Sequence, residues 1–240
     1  MSLIVGTAGW SIARAQAEAF PAEGSALERY ASRFAGVEIN SSFHRPHRTS
    51  TWARWAEQVP AAFRFSVKLP KTITHKRKLV DCGDLLAAFL EESSGLGDKL
   101  AVLLVQLPPS LAFDPPLAEA FFALVSASST AAIACEPRHP SWFEEESGRL
   151  LESLGVARVA ADPAKAPEAS VPGGWRGFSY YRLHGSPVPY RSSYDEERLE
   201  GYAGLIRQDL AAGGPVWCMF DNTASSAATG NALSLMDKLP

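Results

Sequence analysis

The chain has 240 residues, of which 46% are apolar and 20% charged, with a net charge of −3. That balance fits an ordinary globular core and excludes a polycation built to coat nucleic acid, so attraction for anions has to come from a local patch. No stretch approaches the ~18 consecutive apolar residues of a membrane span. With the first apolar run already at Leu3, we expect no signal peptide, no membrane association and a cytoplasmic setting. Cys82, Cys135 and Cys218 form no CxxC pair, which argues against a disulfide framework or a structural zinc site.

Eight short apolar runs set the expected frame. LIVGT (3–7) comes first, and a capping box over Ser25 and Glu28 opens the helix that follows, with Gly36 just past its end. After GVEIN (36–40), Trp52, Trp55, Ala56 and Val59 recur at helical spacing until Pro60 stops them. FRFSVK (63–68) precedes a helix over 84–92. AVLLVQ (101–106) precedes one capped by Asp114, with Pro115 at its first position. AIACEPRH (132–139) leads to a second capping box, Ser141 to Glu144, whose helix ends at Gly155. VARVAAD (156–162) is followed by prolines and glycines over 163–176 that argue against a full helix. FSYYRLH (178–184) precedes the longest helical pattern, 194–212, and VWCMFDN (216–222) precedes a last helix over 231–238.

Continuous apolar runs, rather than alternating ones, mark strands of a parallel sheet buried on both faces. Nearly every run ends in a charged or amide residue, so the strands share a direction and a polar rim. The expected fold is a single (β/α)8 TIM-type barrel domain over 1–240, its sixth crossover helix reduced to loop, with the chemistry on that rim.

Residues two apart in a strand face the same side, which pairs Glu38 with Asn40, Glu136 with Arg138 and Arg182 with His184. Lys68, Gln106, Asp162 and Asp221 hold equivalent strand ends. Buried charges are costly alone, so such a cluster must be mutually paired, solvated or ligand-bound. Lys68, Arg138 and Arg182 suit phosphate or carboxylate. Glu38, Glu136 and Asp162 suit acid/base work or a divalent metal, and His184 and His139 suit proton transfer or ligation. A salt-bridged plug closing the barrel end is the bland alternative.

Two rim loops are basic despite the acidic total: His44, Arg45, His47 and Arg48 after the second run, and Lys71, His75, Lys76, Arg77 and Lys78 after the third. Side by side they form one positive lip, with Phe43 and Tyr190 as stacking surfaces, a pattern suited to an extended anion such as a nucleic acid strand. An ordinary solvated charged loop has the same composition. NTASSAATGN (222–231) ahead of the last helix is a weak phosphate-cradle pattern.

GTAGW (6–10), VEINSSFHR (37–45), FRFSVKLPKTITHKRKL (63–79), LVQLPPS (104–110), EPRHPSW (136–142), YYRLHG (180–185) and FDN (220–222) resemble, in order, the signatures of the domain-of-unknown-function 72 (YecE-like) family. The resemblance spans essentially the whole chain and implies a β/α barrel, with no established reaction. It puts motif positions on Glu38, Asn40, Lys68, His75, Gln106, Glu136, Arg138, His139, Asp162, Arg182, His184 and Asn222. Departures fall at His44, where the family usually carries an aromatic, at Pro137, usually Phe, and at Asp221, usually Asn.

The leading expectation is an enzyme, a hydrolase, lyase or isomerase, acting on a sugar-like small molecule that bears phosphate or carboxylate. Glu38, Glu136, Asp162 and His184 carry the acid/base roles. Asn40, Lys68, His75, Gln106, Arg138, His139, Arg182, Asp221 and Asn222 hold the substrate. No cofactor is required by the pattern, though the carboxylates suit a divalent metal. The alternatives are a metal-assisted phosphodiesterase or nucleic-acid-binding barrel using loops 44–48 and 71–78, and a non-catalytic ligand-binding protein.

Overall fold

The computed structural model describes residues 2–239. Its strands are β1 (Leu3–Thr7), β2 (Gly36–Ile39), β3 (Arg64–Lys68), β4 (Leu100–Gln106), β5 (Ala132–Glu136), β6 (Val156–Arg158), β7 (Ala160–Asp162), β8 (Gly173–Gly174), β9 (Ser179–Leu183) and β10 (Val216–Phe220). Every apolar run therefore contains extended chain. All pairings are parallel except β8 on β6, where Gly173 and Gly174 lie antiparallel to Arg158 and Ala157.

The mixed α/β architecture with parallel strands is as expected, but the hydrogen bonding draws two sheets rather than one closed ring. One sheet has the order β1-β10-β9-β7 and the other β2-β3-β4-β5-β6-β8. At one seam the chain itself passes between them: VARVAAD serves β6 up to Arg158 and β7 from Ala160, with Val159 N donating to Cys135 O at 2.9 Å. At the other seam β1 and β2 share only an isolated bridge, Ala8 to Glu38, with Gly9 N donating to Glu38 O at 2.8 Å.

A side chain accounts for that second break. The Tyr30 hydroxyl accepts from Thr7 N at 2.8 Å and donates to Gly36 O at 3.2 Å, standing where a strand-to-strand bond would run. Two glycines admit the close approach. A Cβ on Gly6 would lie 2.4 Å from the Gly36 carbonyl oxygen, closer than atoms tolerate.

The helices are α1 (Ala26–Ala31), α2 (Ser41–His44), α3 (Thr49–Glu57), α4 (Gly83–Ser93), α5 (Pro115–Ser128), α6 (Glu145–Ser153), α7 (Glu196–Ala211) and α8 (Ala228–Met236). The Ser25–Glu28 capping box forms, and Asp114 caps α5 by accepting from Leu117 N. The second expected box does not form. Ser141 belongs instead to a 3-10 turn over Pro140–Phe143, its hydroxyl accepting from Phe113 N, and α6 starts only after Glu144. The stretch after β7 is mostly loop, with one 3-10 turn at Pro167–Ser170. The basic loop after β3 winds into a π-helical turn, Thr72–Lys76, closed by Arg77 N donating to Thr72 O at 3.0 Å.

Alternating strand positions divide the apolar side chains in two. One set packs the strands against the helices. The other, Ile4, Val102, Leu104, Ala134, Ala157, Val159, Phe178, Tyr180, Trp217 and Met219, forms a separate cluster drawn from both sheets. Period two then carries the same inner face from Tyr180 to Arg182 and from Ala134 to Glu136, so polar groups sit directly above this apolar layer.

The Tyr30 hydroxyl serves two buried backbone groups, Thr7 N and Gly36 O. Tyr30→Phe should therefore lower the unfolding free energy by about 1–3 kcal/mol in urea denaturation. A loss within error of zero would deny the hydroxyl its part in joining the sheets.

Candidate active site

Arg182, on β9, is fully buried and forms the centre of the polar layer. Its Nε and Nη2 donate to the two oxygens of Glu38 on β2 at 2.9 and 2.6 Å. Nη1 reaches Glu136 Oε2 on β5 at 2.5 Å, and Nη2 reaches Asp221 Oδ2, just past β10, at 2.9 Å. Burial opposes the guanidinium charge, yet Glu38, Glu136 and Asp221 together raise its pKa well above the usual arginine value. These contacts leave Arg182 no face for a ligand.

Glu38 is sealed on its other side, where Tyr180 donates to Oε2 at 2.8 Å and also lies 2.8 Å from Ser66 Oγ. Nothing in the sequence pattern had singled out Tyr180 or Ser66. Their inward register was legible, since Tyr180 lies two residues before Arg182 and Ser66 pairs with Glu38 across the ladder.

Glu136 and His184 make the open side of the cluster. Glu136 accepts from Gln106 Nε2 at 3.1 Å and from Arg138 Nη2 at 3.1 Å, besides Arg182. His184 spans Glu136 Oε1 (2.9 Å from Nε2) and Asp221 Oδ2 (3.1 Å from Nδ1). Burial pushes the Glu136 carboxyl up, but Arg182, His184 and Arg138 hold it well below the usual range. For His184 burial disfavours the charge and Glu136 more than offsets it, so its pKa is raised; both ring nitrogens face carboxylate oxygens, which only accept, and that is the bonding pattern of a doubly protonated imidazolium. Asp221 is lowered: burial acts against Arg182 and His184, and they prevail.

A cavity of about 210 Å³ opens against this side. Glu136, Arg138, His184 and Tyr190 contribute its polar wall, and Lys165 reaches in from the loop after β7; Phe143, Val159 and Ala161 are among its apolar lining. Taking about 30 Å³ per water, the space holds about seven waters. Arg138 is the cation with both an anchor and access, its side chain 23% exposed and its Nη2 3.4 Å from the Tyr190 hydroxyl. Tyr190 sits edge-on to His184 at 5.5 Å and holds a left-handed backbone (φ 67°), uncommon for a large side chain. It stands by this cavity and not by the basic lip where a stacking role had been expected.

Lys68 and His75 lie on the β3 side. Lys68 Nζ is 4.2 Å from the Phe43 ring centroid, and Phe43 meets the His75 ring edge-on at 4.9 Å. Burial, then the charges of Lys68 and Arg138, push the His75 pKa down. Asn40 lies beside Asp221, its Nδ2 3.5 Å from Oδ1, with its own buried Oδ1 unpaired.

Three expected site residues bond elsewhere. Asp162 takes Arg198 Nη2 at 2.9 and 3.0 Å and the Tyr194 hydroxyl at 2.6 Å, bracing the start of α7. His139 turns its Nδ1 to Ser141, capping the 3-10 turn. Asn222 donates to Ser192 O and Asn231 Oδ1, tying two loops together. None of the three side chains is hydrogen-bonded to the Arg182 cluster. Among the described residues no group of three or more His, Cys, Asp and Glu side chains is arranged to hold a metal ion. The carboxylates that would serve are already committed to Arg182 and Arg198.

The two basic loops do lie side by side, lining a second cavity of about 240 Å³ with Phe43, His44, Arg45, Lys71 and Thr72. Glu92 shares that cavity, and His47 leaves the lip to bond Ser41 Oγ at 2.8 Å and pack on Trp52 and Trp55.

Residues 4–240 match the family described as a protein of unknown function, DUF72. The UPF0759 protein YecE of Escherichia coli strain K12 is 35% identical over 144 residues, covering 58% of this chain and 52% of YecE, so the match spans about half the length of that relative. A crystal structure of a DUF72 family protein from Enterococcus faecalis superposes with a TM-score of 0.82 at 20% identity, covering 99% of this chain and 95% of that one. A xylose isomerase-like TIM barrel/4-hydroxyphenylpyruvate dioxygenase fusion protein superposes with a TM-score of 0.52 at 15% identity, covering 99% of this chain and 42% of that one. At such identities the structural likenesses speak for the fold alone. Nearly the whole sequence fits one family, and the chain belongs to DUF72.

Proposed function

We propose that this chain is a TIM-barrel enzyme acting on a small, sugar-like molecule that carries a carboxylate or phosphate, by acid/base chemistry at the C-terminal strand ends. The barrel reading takes the two sheets as two arcs of one ring, joined through Val159 at one seam and through Tyr30 and the Ala8–Glu38 bridge at the other. In its favour, both sheets supply the same inner apolar cluster, and the xylose isomerase-like neighbour is itself named a TIM barrel. Residues 1–240 then form one domain.

The observation that carries the function is the placing of Arg138 and His184 on one cavity wall, with both His184 ring nitrogens facing carboxylates as in an imidazolium. Arg138 receives the anion, with Lys165 also on the cavity lining. A substrate oxygen that displaces Glu136 Oε1 from His184 Nε2 takes the proton held there, and Asp221 at Nδ1 keeps the ring in place. Glu136 itself is saturated with donors and acts as a positioning residue. A cavity of about 210 Å³ suits a molecule of a few carbons better than a polymer. The nucleic-acid alternative loses its metal site because Arg182 occupies Glu38 and Glu136.

Arg138→Ala should weaken binding of inorganic phosphate by about 10- to 100-fold in calorimetry, the equivalent of losing a charged hydrogen bond, with the fold intact. Unchanged affinity would defeat the assignment. Arg182→Ala should instead reduce stability by about 3–5 kcal/mol, because three buried carboxylates lose their shared cation. Normal stability with lost phosphate binding would reverse the two arginines' roles.

The raised His184 pKa has a pH signature. Stability from its imidazolium is fully present below the unfolded value of about 6.5 and is lost as pH rises through the higher folded value. Denaturation from pH 6 upward should show that alkaline loss in the wild type and not in His184→Gln. Equal slopes in both would take the proton away from this histidine.

A further inference from the structure

Lys68 stands apart from the other charges of the cluster. It ends β3 at 7% exposure, yet its Nζ has no hydrogen bond or ion pair among the described residues, only the Phe43 ring beneath it. The carboxylates that would pair it, Glu38, Glu136 and Asp221, are all bonded to Arg182. Nζ is not one of the sealed, partnerless polar atoms of the interior, so it keeps a small accessible surface. A lysine that is desolvated, unpaired and beside a fixed guanidinium has the surroundings that convert an ammonium into an amine nucleophile. Burial, then Arg182, push its pKa down to about 8 against the pull of the three carboxylates. About a tenth of the side chain is therefore unprotonated at pH 7.

We propose that Lys68 is a covalent nucleophile that forms an imine with the substrate, which makes the substrate class an aldehyde or ketone bearing a carboxylate or phosphate. The inference rests on the anion-binding reading above for the charged end of that molecule and adds the carbonyl. Nζ adds to the carbonyl carbon, forming the N–C bond as the π pair moves to oxygen. The C–O bond then breaks, and the oxygen leaves as water with the two protons that the ammonium gives up. The iminium retains the single positive charge of lysine, so the cluster's charge is unchanged and no oxidant, reductant or further reactant takes part. Glu38, Glu136 and Asp221 stabilise the iminium as they do the ammonium. An iminium withdraws electrons from the neighbouring carbon, which narrows the chemistry to a lyase or an isomerase.

Glyoxylate, an anionic aldehyde, and acetaldehyde, a neutral one, serve as probes, with cyanoborohydride to reduce the imine and peptide mass spectrometry to locate it. At pH 7 both should label Lys68 about tenfold faster than the exposed Lys76, Lys78 and Lys165 of the same molecule, in keeping with the free-amine fraction that desolvation gives Lys68. Labelling at Lys68 no faster than at those lysines with either probe overturns the proposal. Lys68→Arg keeps a cation over Phe43 and should fold as the wild type with the fast-labelled site gone; a fast site persisting elsewhere also overturns it. Arg138→Ala should lower the glyoxylate-to-acetaldehyde ratio at Lys68 about tenfold. An unchanged ratio, with Lys68 still labelled fast, leaves the nucleophile standing and defeats the anion site instead.

Discussion

One guanidinium holding three carboxylates is the constraint on which the rest of the site depends. Arg182 lies on β9 and Asp221 just past β10 of one sheet, while Glu38 and Glu136 come from the sheet that contains β2 and β5. The ion cluster therefore ties the two sheets across their shared interior, above the apolar layer that also draws on both. Desolvating four charges costs several kcal/mol for each ion, and one cation among three anions leaves the group short of positive charge. Arg138 and the protonated His184 make up the difference. The cations that look functional are thus also what the buried carboxylates require.

The cluster is graded from sealed to open. On the β2 side Tyr180 and Ser66 close over Glu38, and no solvent reaches it. On the β5 and β9 side Glu136 and His184 front a cavity, with Tyr190 held in a strained backbone conformation beside them. Strain of that kind costs about 1–3 kcal/mol and persists only where surrounding structure enforces it. Here the neighbouring backbone supplies it, through Tyr190 N bonded to His184 O and Ala224 N bonded to Tyr190 O. Lys68 lies between the two regimes, buried like Glu38 but unpaired.

Much of the frame was legible because its causes are local. The apolar runs became strands, the Ser25 and Asp114 caps formed where their side chains could reach the backbone, and the proline-rich stretch after β7 stayed largely irregular. Alternation along β5 and β9 was enough to set Glu136, Arg182 and His184 on one face. The Ser141 box failed because Phe113 N and His139 compete for that hydroxyl, and neither competitor belongs to the helix pattern.

The sequence by itself determined which residues end the strands and which way their side chains face, since both follow from backbone periodicity and short-range capping. Only the tertiary structure decided who pairs with whom. Arg182 and Glu38 are 144 residues apart in the chain, Asp162 prefers Arg198, and Asn222 prefers Asn231. The Tyr30 hydroxyl opens the expected ring at the β1–β2 seam by taking a ladder position that no periodicity records. Partner choice among buried charges is a competition over a few ångströms, and chain folding sets those distances, not the order of residues along the chain.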